Sequence, residues 1–193
     1  QNSKFTFCSF NNFYKLSDKT IEIWSKILKQ KNTEIILKDS LDGGEDLREN
    51  VIQKFFKNGV YKEQIIILDN QKTIYDHLKI YNKVNLALDT FPYPGVTTSF
   101  EAILMGVPVL TMKGFNSNSR CGESINKNIK MPEMIADDDL DYIKKAISII
   151  KDKNFTEKNG INLRKKALSS PLFDTDSFTI DFCNLIHKAL YYL

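Results

Sequence analysis

Short apolar runs alternate with stretches of helical periodicity along most of this sequence. Residues 5–10 have the pattern of a buried strand, and Ser17 then precedes a helix whose apolar side chains fall three or four positions apart. This unit recurs along the chain with short connections. Further strands are predicted at residues 34–38, 64–68, 86–88 and 134–136, and one ends at Thr111. The pattern predicts an α/β fold with a doubly wound, Rossmann-like parallel sheet and right-handed crossovers.

Local signals mark the ends of several helices. Asn58-Gly59 ends the second helix, and Thr73 with Asp76 forms a capping box at the start of the third. The apolar run 64–68 predicts a strand covered on both faces. The positions predicted to face the core are Ile21, Trp24, Ile27 and Leu28 in the first helix, Leu47, Val51 and Phe55 after the Gly43-Gly44 loop, and Ile74, Leu78 and Tyr81 in the third.

The central stretch, residues 85–111, has the pattern of a strand, a loop, a helix and a second strand. Prolines and Gly95 punctuate the loop, and the helix is predicted to begin at Thr97-Thr98. Its N-terminus offers unpaired backbone N–H groups, and Gly95 lets a ligand approach the backbone, so the spot suits an anion such as phosphate. The alternative is a capping box in which Thr98 and Glu101 satisfy the helix end without a ligand. The residues alone favour the capping box.

Two lysines and a histidine are further candidates for chemistry. Lys15 lies in the loop that leaves the first strand, and Lys38 ends the second strand. Both therefore belong to the sheet edge at which open α/β folds bind ligands. A solvated side chain is the commoner role for either lysine. His77 lies at the edge of the apolar stripe of its helix, where a lone histidine is usually structural.

Composition favours one ordinary globular domain. A chain of 193 residues with 42% hydrophobic content can bury a good-sized core, so we expect a single domain over residues 1–193, with 174–193 as a terminal helix. The 27 basic and 24 acidic side chains leave a charge of +3 without a basic run interleaved with aromatics, so nucleic acid is not an expected partner.

The cysteines and the hydropathy bear on the compartment. The three cysteines lack metal-binding spacing and are typical of thiols in a reducing compartment. No apolar run is long enough to span a bilayer and no signal peptide is visible, so we expect a cytoplasmic protein that does not associate with membranes. Because the sequence opens almost directly on a strand, we expect a fragment of a longer protein.

Two motifs resemble a known family. The segment LDTFPYPGVTTSFEAILMGVPVLT is similar to the nucleotide-binding segment of the O-linked N-acetylglucosamine (O-GlcNAc) transferases, in this case of bacterial type. Their FN-x-x-x-K motif is matched by Phe10, Asn11 and Lys15, with Asn12 where many relatives carry glutamine. The resemblance covers nearly the whole chain and implies the C-terminal, donor-binding domain of a GT-B glycosyltransferase.

The resemblance also implies an activity and partners. The family transfers N-acetylglucosamine from UDP-N-acetylglucosamine to protein Ser or Thr hydroxyls, with no metal and no other cofactor. A second Rossmann-like domain, usually preceded by tetratricopeptide repeats, supplies the side that binds the protein acceptor. Neither the domain nor a repeat of that period is found in residues 1–193. We therefore expect this chain alone to bind a UDP-sugar and to be inactive as a transferase.

Individual residues take roles from the resemblance. Lys15 would contact the diphosphate and stabilise the charge that builds on it, as the catalytic residue of this half. His77 would pack against the nucleotide base, although Ile80 stands where the family often has a basic residue, and Glu101 would bind the ribose. The residues expected to bind the UDP-sugar are Asn11, Asn12, Lys15, His77, Gly95, Val96, Thr97, Thr98 and Glu101.

Two further motifs have competing interpretations. Ser119-Arg120 and Ser124 fit a family pattern that lines the cleft between the domains, although ordinary loop chemistry explains them nearly as well. Asp-x-Asp holds a metal in another glycosyltransferase fold, but residues 137–139 precede a helix, so capping is the favoured role.

Three other functions stay open. One is a related enzyme with another donor or acceptor, such as an asparagine glucosyltransferase or a sugar-nucleotide epimerase. The others are a nucleotide-binding module without turnover and an interaction domain without a ligand. The donor sugar, the acceptor and the oligomeric state are not chosen by the sequence.

Overall fold

The computed structural model describes residues 4–39 and 44–191. A six-stranded sheet forms its centre, with all recorded strand pairs parallel and the order β3-β2-β1-β4-β5-β6. The order reverses between β1 and β4, which makes their carboxyl ends the switch point where open α/β sheets bind ligands. The strands are β1 (Phe5–Ser9), β2 (Thr33–Lys38), β3 (Ile65–Leu68), β4 (Leu86–Leu88), β5 (Val109–Met112) and β6 (Ile135–Ala136).

Helices connect the strands and pack in two groups. They are α1 (Asp18–Leu28), α2 (Gly44–Lys57), α3 (Ile74–Ile80), α4 (Thr97–Leu104), α5 (Cys121–Asn128), α6 (Asp139–Lys151), α7 (Phe155–Leu168) and α8 (Thr175–Tyr191). α1 packs against α2 and α6, whereas α4 packs against α5 and α7. These are the two helical layers of the predicted doubly wound fold. Gly43 lies outside the described residues.

The predicted core is confirmed for the first helix and partly corrected elsewhere. All four apolar positions of α1 are buried, with Trp24 fully enclosed. Residues 65–68 are only half-buried because β3 is the edge of the sheet, so the prediction of a strand covered on both faces is wrong. The prediction that Ile74 faces the core is also wrong, because this residue begins α3 and is 65% exposed.

The last helix carries its apolar face in the open. Phe178, Phe182, Leu185 and Ile186 are 45–66% exposed, and α8 has no buried residue. None of the described helices is long and apolar enough to cross a membrane.

Candidate functional site

The loop after β1 carries Lys15 to the carboxyl edge of the sheet. The Asn12 side chain accepts a hydrogen bond from the Tyr14 N–H (2.9 Å) and so begins the single turn Phe13–Lys15. The Lys15 Nζ donates to the Pro94 carbonyl oxygen (3.1 Å) and lies 4.3 Å from the centre of the Tyr93 ring. Lys15 therefore joins the loop after β1 to the loop after β4.

A buried carboxylate folds the loop after β4. Asp89 directly follows that strand, and its Oδ1 accepts hydrogen bonds from the N–H groups of Gly95 (2.6 Å) and Thr90 (3.0 Å). Its Oδ2 accepts from the Thr111 hydroxyl of β5 (2.8 Å). These bonds draw the loop back over the sheet edge, immediately before the start of α4.

Glycine at position 95 is required by close packing. A Cβ there would lie 2.5 Å from the Thr98 Oγ1 and 3.0 Å from the Asn11 Oδ1. Both distances are shorter than ordinary contacts between side chains. Gly95 thus lets the loop pack directly onto the first turn of α4.

The capping box at the start of α4 does not form. The Thr98 Oγ1 donates to the Asn11 Oδ1 (3.1 Å), and Glu101 is paired with His77. No hydrogen bond from a side chain of the described residues caps this helix. Its first backbone N–H groups, at the positive end of the helix dipole, are therefore open to an anion.

These elements surround a pocket of about 360 Å³. Six of the nine residues predicted to bind the UDP-sugar line it, and Gly95 lies in the loop beside it. Tyr93 also lines the pocket and was missed, since a tyrosine between two prolines carries no chemical signal in the sequence. The lining residues are Phe10, Asn11, Asn12, Lys15, Tyr93, Val96, Thr97 and Thr98.

His77 and Glu101 form a pair outside the wall of this pocket. The His77 Nε2 lies 3.0 Å from the Glu101 Oε2, which joins α3 to α4. The buried imidazole contacts the rings of Phe10 and Tyr81 at centroid distances of 5.4 and 5.7 Å. Lys38 lies near this pair. Burial lowers the pKa of Lys38, and the negative charge of Glu101 opposes that effect.

The electrostatics of the pocket centre on Lys15 and Asp89. Burial lowers the pKa of Lys15, and the negative charge of Asp89 opposes that effect. Burial raises the pKa of Asp89 to about 6, against hydrogen bonds from Gly95, Thr111 and Thr90 and the charge of Lys15, which lower it. The edge of the sheet thus holds a lysine whose charge acts on a buried carboxylate with a raised pKa.

Two residues of the serine and arginine motif make local contacts. Arg120 binds Glu123 through two hydrogen bonds, Nε to Oε2 (2.8 Å) and Nη2 to Oε1 (3.1 Å). The buried Ser119 Oγ accepts from the N–H groups of Phe115 (2.9 Å) and Asn116 (3.0 Å) and closes their loop. These contacts are those expected from loop chemistry, and the role at a cleft between two domains stays a prediction.

Asp138 has the capping role that was favoured for residues 137–139. The Asp138 side chain accepts from the Asp141 N–H (2.8 Å) at the start of that helix. Across residues 4–39 and 44–191, no three His, Cys, Asp or Glu side chains are grouped as a metal site would require.

Comparisons with known proteins agree with this architecture. The chain is 29% identical over 192 residues to a probable UDP-N-acetylglucosamine–peptide N-acetylglucosaminyltransferase SPINDLY of Eustoma exaltatum subsp. russellianum, and 30% identical over 175 residues to that of Petunia hybrida. The matches cover 99% and 90% of this chain, but it spans only 21% and 19% of the relatives' lengths.

The structural match is close over the whole domain. A mutant of the O-GlcNAc transferase of Thermobaculum terrenum superposes with a TM-score of 0.89 at 26% identity, over 97% of this chain and 36% of that one. The C-terminal domain of a Francisella tularensis group 1 glycosyl transferase has the same fold, with a TM-score of 0.65 at 15% identity over 86% of each chain. The fold is that of the C-terminal domain of a GT-B glycosyltransferase. Because residues 2–182 match its sequence profile, the chain belongs to glycosyl transferase family 41.

Proposed function

We propose that this domain binds the UDP-N-acetylglucosamine donor of an enzyme that transfers N-acetylglucosamine to protein Ser or Thr hydroxyls. The observation that carries the proposal is the pocket itself, where Lys15 and the uncapped start of α4 converge from separate strands. The names of the SPINDLY relatives support the choice of donor and acceptor. The acceptor side would come from a second domain, and tetratricopeptide repeats and a cytoplasmic location remain part of the proposal.

The diphosphate would occupy the pocket between Lys15 and α4. The Lys15 ammonium is held by a carbonyl oxygen and the face of Tyr93, both weak partners that a phosphate oxygen can replace. The first backbone N–H groups of α4, at Thr97 and Thr98, lack an acceptor within the helix and would meet the phosphates from the other side. As the bond to the sugar breaks, negative charge grows on the leaving diphosphate, and these donors stabilise it more in the transition state than in the ground state.

The nucleoside would extend towards His77 and Glu101. Because Glu101 does not cap α4, its carboxylate can accept hydrogen bonds from ribose hydroxyls. Its hydrogen bond with the His77 Nε2 holds the imidazole in place at the same time. The imidazole lies among aromatic rings, which suits it to pack against a base.

Transfer is proposed to proceed without a metal or another cofactor. The positive charge that the diphosphate requires would come from Lys15 and the helix end alone. A titration with and without a chelator tests this part, and loss of UDP affinity in the chelator would contradict it.

The central test compares UDP with uridine in the Lys15→Ala variant. Loss of one charged hydrogen bond should weaken UDP about 10- to 100-fold, whereas uridine should change by less than about twofold. The control is Lys26→Ala, which removes an exposed lysine of α1 that pairs with Glu22. Calorimetry measures both affinities. Equal losses for UDP and uridine would remove Lys15 from the diphosphate site.

A panel of nucleotides separates this function from the alternatives. Absence of binding by UDP, other nucleoside diphosphates and their sugars at millimolar concentration, in folded protein, would favour an interaction domain. Tighter binding of another nucleotide than UDP would assign this half to a different donor.

A further inference from the structure

Asp89 is a buried acid that the expected chemistry leaves without a role. It is 1% exposed, and it accepts a hydrogen bond from the N–H of Gly95, in the loop beside the pocket that would hold the diphosphate. A carboxylate near an anion site is repulsive unless it is neutralised. Its presence there therefore calls for an explanation.

The two carboxylate oxygens of Asp89 have different kinds of partner. Oδ1 accepts from two backbone N–H groups, which can only donate. Oδ2 meets the Thr111 hydroxyl, which can donate or accept after rotation about its C–O bond. A proton on Oδ2 would therefore reverse one hydrogen bond and break none. The anchored loop can keep its shape whether Asp89 is charged or neutral.

Among the described residues, a few charged and titratable groups lie around Asp89, and of these Cys8 of β1 and Tyr81 line a small cavity with it. Lys15 approaches from the turn after β1, and its charge favours the ionised carboxylate. Tyr142 of α6 donates from its hydroxyl to the Asp89 backbone carbonyl oxygen (3.2 Å). Gly122 of α5 is so close that a Cβ there would lie 2.7 Å from the Asp89 Oδ2. The neighbouring Cys121 raises the pKa of Lys15. Among the described residues, Lys15 is thus the cation that keeps Asp89 ionised.

We propose that Asp89 is a positioning residue that holds the Gly95 loop in either protonation state and takes up one proton from solvent when a nucleotide diphosphate enters. The physical reason is competition for Lys15. Once the ammonium binds phosphate oxygens, it no longer compensates the carboxylate, and the added anion repels it. The proposal rests on the proposed function, because the diphosphate is its trigger.

The test is proton-linked calorimetry with UDP-N-acetylglucosamine. This probe lacks the terminal phosphate monoester of UDP, which itself titrates near neutral pH. Titrations at pH 7 in two buffers of different ionisation enthalpy give the number of protons taken up. We expect on the order of half a proton, and an affinity that rises roughly three- to tenfold from pH 8 to pH 6.

The matched variant is Asp89→Asn, which keeps the shape and the hydrogen bonds but cannot ionise. It should bind the probe at pH 8 at least as tightly as the wild type, with no proton uptake from this site and a flat pH profile. Thr111→Val should keep the uptake and move its maximum to higher pH, because the lost hydroxyl stabilises the ionised carboxylate. Asp89→Ala should bind more weakly, since it frees Gly95.

The outcomes separate the two proposals. Failure of UDP and UDP-N-acetylglucosamine to bind the folded wild type overturns the proposed function and removes the trigger. Binding without proton uptake, or uptake that persists in Asp89→Asn, overturns only the role of Asp89. Weaker binding by Asp89→Asn at every pH also overturns the role of Asp89, because that result is expected of a carboxylate with only a structural role.

Discussion

The effect of the Asp89→Asn substitution on the stability of the fold should depend on pH. The amide oxygen can still accept from Gly95 and Thr90, and one amide N–H can donate to the Thr111 hydroxyl, so the existing groups keep their partners. The second amide N–H gains no acceptor, which lowers the stability of the variant by the same amount at every pH. In the wild type, burial raises the pKa of Asp89 from 3.8 to about 6. The folded protein therefore binds this proton more tightly than the unfolded chain does.

The size and sign follow from proton linkage. A rise in pKa from 3.8 to about 6 corresponds to about 3 kcal/mol of unfolding free energy. Because the pKa is raised in the folded state, this stability is present in full below pH 3.8, is lost as the pH rises through about 6, and stays lost above it. Asparagine does not ionise. The unfolding free energy of the variant minus that of the wild type should therefore be about 2–3 kcal/mol larger at pH 7.5 than at pH 4.

Urea unfolding followed by Trp24 fluorescence provides the assay, since this single tryptophan is fully buried. Wild type and variant are compared at pH 4, 5, 6 and 7.5. Other acids, such as Glu123 with its pKa lowered to about 2 by Arg120 and Lys127, titrate equally in both proteins and cancel in the difference. A difference in unfolding free energy that does not change with pH would refute the reasoning.

Three further predictions can be tested on the same chain. Gly122→Ala should lower the unfolding free energy by about 2–3 kcal/mol, because its Cβ would lie 2.1 Å from the Thr111 Oγ1. Gly160→Ala in α7 should raise it by up to about 1 kcal/mol, because its Cβ would meet no described atom within 4 Å. Equal midpoints in urea unfolding would contradict the packing argument. His77→Ala should weaken uridine and UDP by the same factor in calorimetry, and an unchanged uridine affinity would return His77 to a purely structural role. The chain alone should transfer no radiolabelled N-acetylglucosamine to a Ser/Thr-rich peptide, because a bound donor without an oriented acceptor lacks the gain from proximity; incorporation that depends on time and on Lys15 would show a complete enzyme.

Features with local causes could be predicted from the sequence. Ser17 caps α1 by accepting from the Thr20 N–H (3.1 Å), and Thr73 caps α3 by accepting from the Asp76 N–H (3.1 Å). Gly59 takes the left-handed conformation (φ 80°) that a helix end favours. In the two caps, the donor and the acceptor are three residues apart. At Gly59, the conformation is set by the glycine itself. The alternation of strands and helices is equally local, which is why the parallel sheet was predicted correctly.

Features that depend on the order of strands could not be predicted. The exposure of β3 follows from its place at the edge, which the apolar run 64–68 does not encode. Asp89 has a long-range cause of a similar kind, because its partner Thr111 lies on the adjacent strand. An acidic residue at the carboxyl end of a buried strand could have marked Asp89 as a candidate site residue, since that edge binds ligands in open α/β sheets.

The start of α4 shows how a local signal loses to the tertiary fold. A capping box requires two side chains to turn back onto their own helix, and Thr98 and Glu101 are correctly spaced for it. Once β1 lies beside β4, the Asn11 amide is within reach of Thr98, and α3 brings a buried imidazole to Glu101. A charged hydrogen bond to a buried histidine outweighs a cap at a solvated helix end. Both side chains are therefore used elsewhere, and the exposed N–H groups that result are what an anion site requires.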